Sequence, residues 1–200
     1  MGEPNYEDVH PSFRPEHGVF DAYDARKAAY WALFAGAHGH TYGANGVFQF
    51  WDGEAPDRFN APKPWQEAIQ LPGAAQMSHA RHLLEARPFL SRVPDPQLLL
   101  SAPGLGADHT RATRGADGGY ALIYSGAGRP FTVDLGRLSG QSIAATWFDP
   151  RTGEATAAGR VPGGRAHDFG PPSSGRGHDW VLVLDDEDRA YGPVGPIPSR

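Results

Sequence analysis

"DAYDARKAAYWALFAGAHG", residues 21–39, decides how the first half of the chain is read. Asp21 stands where a helix N-cap is wanted, Asp24 falls in the first turn and Gly36 closes the run, so the pattern predicts a helix over about residues 22–36. From Ala28 to Phe34 the segment is apolar nearly all round, and a helix of that kind has to be covered on more than one side. Its alanines would let it lie close against a sheet. The following "AHGHTYGANGVFQFWDG", residues 37–53, is too brief and too rich in glycine for another helix, and reads as a short strand followed by a loop. A second helical stretch, "PWQEAIQLPGAAQMSHARHLLEARPF" (64–89), is split at Leu71-Pro72, because proline disfavours helix in the residue before it. Its second half sets Ala75, Met77, Ala80, Leu83 and Leu84 at helical spacing, a stripe that reads as core. Helix, short strand and polar loop together make an α/β rhythm.

After Phe89 the pattern changes. "FLSRVPDPQLLLSAPGLG" (89–106) looks like a connector, and from Arg111 onward short β-rich runs alternate with turns: "GYALIYS", "PFTVDL", "SIAATWFDP" and "DWVLVL". Asp149-Pro150-Arg151-Thr152-Gly153 has proline and glycine spaced for a tight hairpin turn. The expected organisation is therefore α/β plus all-β. A first domain covers residues 1–92, an antiparallel β-sandwich covers 93–190, and 191–200 form a flexible tail with too little to bury.

Composition narrows the partners. The 200 residues carry a formal net charge of -5, which offers no basic stripe for a phosphate backbone, so neither nucleic acid nor a membrane surface is expected. There are no cysteines, which excludes disulfides and thiolate metal sites. No apolar run approaches the ~20 residues that span a bilayer, and no signal-peptide core follows Met1, so any export signal is expected upstream. With 26 glycines and 19 prolines the chain is rich in turns, without a repeat of solenoid period.

The opening "GEPNYEDVHPSF", residues 2–13, crowds Glu3, Tyr6, Glu7, Asp8 and His10 together with no strand before them. Glycoside cleavage needs two carboxyl groups flanking the bond, and a Glu after a strand end followed by a proline-stiffened loop suits a nucleophile. Spacing alone favours an ordinary solvated acidic loop. The second candidate group is His38, His40, Tyr42 and Asn45. In an extended strand positions 38, 40 and 42 face one side, as sugar contacts, a metal pair, or histidines hydrogen-bonded inside a barrel layer. A metal would need a third and fourth ligand that nothing in the sequence fixes, so no metal is expected. Phe50, Trp51 and Trp65 could stack on a sugar ring, although aromatic residues at an α/β junction are more often core. Trp147, Phe148 and Trp180 read as core in the same way. Neither a phosphate-cradling G-x-G-x-x-G nor a G-x-S-x-G nucleophile elbow is present in the glycine-rich loop or at Ser173–Gly175, and no cofactor is expected.

"GEPNYED", "RKAAYWALFAGAHGHTYGANGVFQFW" and "PWQEAIQLPGAAQMSHARHLLEARPF", in that order, resemble the closing portion of the apiosidase-like glycoside hydrolases, the barrel enzymes of family 140. "WFDPRTGE" and "DFGPPSSGRGHDWVLVL" resemble the β-sandwich that accompanies those barrels and is catalogued as a collagen-binding domain. The resemblance implies the last strands and helices of a (β/α)8 barrel acting by a retaining mechanism on plant cell-wall or related polysaccharide. Glu3 then matches the nucleophile at the end of the seventh strand, and Tyr6, Glu7, His40, Tyr42 and Asn45 become substrate-binding residues. Residues 22–36 correspond to the seventh helix, about 39–43 to the eighth strand and 65–86 to the eighth helical segment. The acid/base carboxylate comes from an earlier strand, so the missing N-terminal barrel half is the expected intramolecular partner. The chain alone is expected to be inactive, its helix 22–36 short of a sheet to cover it. Relatives of this kind are secreted or periplasmic. A non-catalytic binding or docking module is the alternative, although nothing in the sequence points to collagen itself.

Overall fold

The computed structural model describes residues 4–195. They are a mixture of helix and mainly antiparallel sheet, divided into two compact units. One takes the described residues up to Leu33 together with Ala37–Ser78, and the other takes Phe34–Gly36 and the residues from His79 onward. No helix among the described residues is long and apolar enough to cross a membrane.

Helix α1 (Ala22–Phe34) begins with a reciprocal cap. Asp21 Oδ1 accepts from the backbone N–H groups of Tyr23 (3.0 Å) and Asp24 (3.2 Å), while Asp24 Oδ2 accepts from Asp21 N–H (3.3 Å). Gly36, at φ +98, reverses the chain, and Ala37 N–H donates back to Ala32 C=O at 3.0 Å. Ala25, Ala29, Tyr30, Leu33 and Phe34 are buried. The sequence led us to expect this helix to lack cover; in the described residues most of its apolar face is enclosed, and Arg26 beside it donates to Gln76 Oε1 at 2.6 Å.

The short strand expected near 39–43 contracts to one parallel bridge, Glu7 to Ala44. Glu7 N–H donates to Gly43 C=O (2.9 Å) and Asn45 N–H to Glu7 C=O (3.0 Å). A ladder lengthens only where successive residues find partners, and among the described residues this stretch has no other strand beside it. The loop beyond it is partly helical: α2 (Asn45–Gln49) is a single turn that ends in the left-handed Phe50, at φ +52. As the proline predicts, α3 (Trp65–Ala68) stops short of Leu71, and α4 (Pro72–Glu85) starts with Pro72 in its first turn.

Among its described residues the second unit has eight strands: β1 (Arg92–Pro94), β2 (Thr110–Gly115), β3 (Tyr120–Ser125), β4 (Phe131–Asp134), β5 (Ser142–Phe148), β6 (Ala155–Pro162), β7 (Ala166–Phe169) and β8 (Trp180–Asp186). Six form an antiparallel sheet in the order β1-β2-β3-β8-β5-β6, and β4 pairs with β7 in a separate ribbon. One face of the sheet (Ile123, Ile143, Trp147, Leu182, Leu184) shares a core with Phe131 and Val133 of β4 and Phe169 of β7. Central strand β3 is buried on both faces. On its other side Phe34 meets Tyr124 edge to face at 6.4 Å, and Tyr120 Oη donates to Pro88 C=O at 3.0 Å. The turn at 149–153 is as expected: Gly153, at φ +76, donates to Asp149 C=O at 2.8 Å and links β5 to β6. Trp147 and Phe148 are core, whereas Trp180 is half-buried under the guanidinium of Arg151.

Two charged clasps hold this unit. Asp95, 5% exposed, accepts from Arg114 (2.7 Å) and Arg137 (2.8 Å) through one oxygen. Arg87 forks onto Asp185 at 2.7 and 2.6 Å, donates to Gly192 C=O at 2.9 Å and lies over the Tyr191 ring. Of the residues expected to form a tail, Tyr191 and the buried Val194 thus pack within the described chain.

Candidate functional site

The titratable groups singled out from the sequence lie in the first unit, apart from Glu3, which lies outside the described residues. Its neighbours Pro4 and Asn5 line a hollow of about 260 Å³ whose other walls include Tyr6, His10, Phe13, Asn45 and Phe48. Tyr6 and Asn45 are therefore brought together. Tyr6 packs its ring edge-on to Phe48 at 6.0 Å, and it also lies against the backbone at Gly43, where a Cβ would fall 2.5 Å from the ring. Only glycine leaves room for that tyrosine.

Asn45 is fully buried and uses its amide to pin the surrounding loops. Its Nδ2 donates to Asp8 C=O (3.0 Å) and Phe59 C=O (3.1 Å), and its Oδ1 accepts from Gln49 Nε2 (2.6 Å). Asp8 in turn binds Lys63 at 2.8 Å.

Glu7 and Tyr42 form a second, enclosed pair. Glu7 is 2% exposed, and its Oε2 accepts from Tyr42 Oη at 2.7 Å and from Gly73 N–H at 3.0 Å. A Cβ on Gly73 would collide with that same oxygen and with the Tyr42 ring, so the first turn of α4 can approach only as glycine. Burial pushes the Glu7 carboxyl above the ordinary glutamate value, against the two hydrogen bonds that pull it down, with Asp8 and Asp21 adding to the rise. The Tyr42 hydroxyl is pushed up as well, first by burial and then by its bond to Glu7.

His40 makes no hydrogen bond to any of these groups. Both its ring nitrogens are enclosed without a partner among the described residues, and burial lowers its pKa so that the imidazole is held neutral. His38 is exposed. No group of three His, Asp or Glu among the described residues is placed to hold a metal ion.

Two features of this unit were not legible in the sequence. Five of the six described non-glycine residues at positive φ lie in its loops: Asp8, Ser12, Phe13, Phe50 and Asn60. Such conformations cost energy and gather at ligand sites and switches. The second feature is a correction to the reading of the aromatics as core. Phe50 is 72% exposed, stacked on Trp65 with centroids 5.1 Å apart and planes at 11°. Phe13 and Phe48 are each 57% exposed, and both pack against Phe59. Left-handed backbone at Phe13 and Phe50 turns these side chains away from the interior. A glycine in those places would have announced such a backbone; a phenylalanine conceals it.

With this geometry in view, the comparisons with known proteins fall into place. Residues 1–91 match the family described as "Apiosidase-like, catalytic domain", and residues 93–185 match "Putative collagen-binding domain of a collagenase". A solved structure described as "Glycoside hydrolase" is 35% identical, with a TM-score of 0.88 over 94% of this chain and 42% of its own. A family 5 glycoside hydrolase from Bacteroides vulgatus ATCC 8482 is 31% identical, with a TM-score of 0.90 over 96% of this chain and 43% of its own. The chain is similar to the apiosidase-like glycoside hydrolases. That bears out the resemblance read from its sequence, and makes it a glycoside-hydrolase-related protein. It spans about two fifths of the length of both structures. No curated protein matches it. The loops around Tyr6, Asn45 and Phe50 all fall within the apiosidase-like portion.

Proposed function

We propose that the chain contributes the closing portion of a retaining glycoside hydrolase acting on plant cell-wall or related polysaccharide. Residues 1–92 are its last barrel segments, and 93–190 form an antiparallel β-sandwich. The observation that carries this reading is the parallel bridge between Glu7 and Ala44 on either side of α1. Parallel chains joined through a helix are the repeating unit of a (β/α)8 barrel, and residues just past such strand ends carry its chemistry.

In this reading Glu3 is the nucleophile. Its carboxylate attacks the anomeric carbon, a glycosyl-enzyme ester forms, and the departing oxygen takes a proton from an acid/base carboxylate ~5 Å away. That partner belongs to an earlier strand, in the part of the longer relatives that this chain does not cover. Tyr6 and Asn45 bound the hollow that Pro4 and Asn5 also line, and the enclosed Glu7–Tyr42 pair fixes the backbone at Glu7. In the same reading His40, whose two ring nitrogens have no partner among the described residues, is a substrate-binding residue.

Hydrolysis of an aryl glycoside panel tests the proposal. The 200-residue protein alone should release no measurable phenol. A protein extended by the earlier strands should turn over, and E3Q should lower its kcat by about 10³-fold or more. Turnover by the 200-residue protein that disappears on E3Q would show that these residues suffice. Turnover indifferent to E3Q would remove Glu3 from the mechanism.

A further inference from the structure

The rings of Phe50 and Trp65 stack at the surface. Phe50 closes the single-turn helix α2 in a left-handed conformation that glycine would occupy without strain, and its ring remains 72% exposed. One face of that ring lies flat on Trp65 and the rest is open to solvent. Beside it is a second hollow of about 480 Å³, lined by Phe48, Phe50, Trp51 and Phe59 together with the polar Asp52, Asp57 and Arg58. Phe48 also lines the hollow next to Glu3's neighbours, so one aromatic residue is the wall common to both. Phe13 repeats the pattern on the first hollow: left-handed, 57% exposed and 5.1 Å from Phe59. Two strained, solvent-facing phenylalanines on adjoining hollows suit a flat, partly apolar ligand.

We propose that Phe50, supported from beneath by Trp65, is a stacking platform for a sugar ring, forming a glycan subsite one hollow removed from the one lined by Tyr6 and Asn45. The ligand class rests on the glycoside-hydrolase reading; the platform rests on the exposed ring and its strained backbone. A pyranose ring offers one face of C–H groups to an aromatic surface and keeps its hydroxyls outward for polar groups, and Asp52, Asp57 and Arg58 are among the residues lining this hollow. With the two hollows sharing Phe48, the ligand is an oligosaccharide of at least two residues rather than a monosaccharide.

Isothermal titration of the 200-residue protein with cello-, xylo-, arabino- and galacturono-oligosaccharides, tetra- to hexasaccharide, tests this, alongside F50G, F50Y and F50L. At least one series should bind. F50G should weaken that binding about five- to tenfold, with Tm unchanged or raised by a few degrees because glycine relaxes the left-handed backbone. F50Y should retain affinity and F50L should lose it. Absence of binding by the wild type would overturn the platform, as would equal affinity of F50L and the wild type, which marks a merely greasy patch. A fall in Tm with F50G would show a structural ring. Sedimentation as a dimer that F50G dissolves would assign the ring to self-association. None of these outcomes bears on Glu3, whose role is read from hydrolysis.

Discussion

The six-stranded sheet and the loops of residues 4–20 and 45–64 handle polar and apolar groups in opposite ways. In the sheet, β3 and β8 bury nearly every side chain, and Asp95 is matched by two arginines. In the loops, phenylalanines face water, non-glycine residues occupy left-handed backbone, and Glu7 is buried with a tyrosine and one amide but no cation. One region holds a fold in place, and the other spends stability on shape. The two buried carboxylates show this in their protonation. The Asp95 carboxyl, which burial alone would raise, is held below its usual value by Arg114 and Arg137, whereas burial leaves Glu7 above its own.

The largest effect that sharpens the contrast is core truncation. Leu182→Ala removes a fully buried side chain from β8 and should cost about 3–5 kcal/mol in urea denaturation, while Phe48→Ala, at 57% exposure, should cost less than about 1 kcal/mol. Equal costs would break the comparison. An intermediate effect is the pH response. Asp95, with a depressed value, stabilises above its unfolded value near 3.8, and that contribution fades as pH falls through the lower folded value. Glu7 works in the reverse sense. Its contribution is complete below about 4.5 and is lost as pH rises through the raised value. Amide hydrogen exchange can follow each locally, at Gly73 N–H for Glu7 and Gln97 N–H for Asp95. Asp95→Asn should weaken the second unit by about 2 kcal/mol at neutral pH, and Glu7→Gln should flatten the pH dependence at Gly73. The smallest effect is Phe13→Gly, which should leave stability unchanged or raise it by up to about 1 kcal/mol, measured by thermal unfolding.

What could be read in advance follows the same division. The helix from Ala22, the break at Leu71-Pro72 and the hairpin at Asp149–Gly153 all depend on local chemistry: a cap, a missing amide, a glycine in the left-handed region. Strand β6 escaped because "ATAAGRVP" is a largely exposed edge of small residues with no alternation to detect, and β7 because four residues carry too little pattern. The stretch at 39–43 had strand-like residues, but a strand also needs neighbours, and only Glu7 supplies a pairing. At the candidate site, residue types were legible and their partnerships were not. Nothing in the order of residues announces that Tyr42 would bind Glu7, 35 positions earlier, or that Asn45 would spend its amide on Asp8 and Phe59. The exposed Phe50 was hidden by a sound general rule, since aromatic rings usually go inside.

The guanidinium of Arg87 has a practical meaning for anyone cloning this region. It ties Asp185, Gly192 and the Tyr191 ring into one knot, so an expression boundary drawn at the visible end of the last strand would cut through it. A boundary a few codons further on keeps the knot tied, and a purification handle there would sit beyond it instead of competing with it.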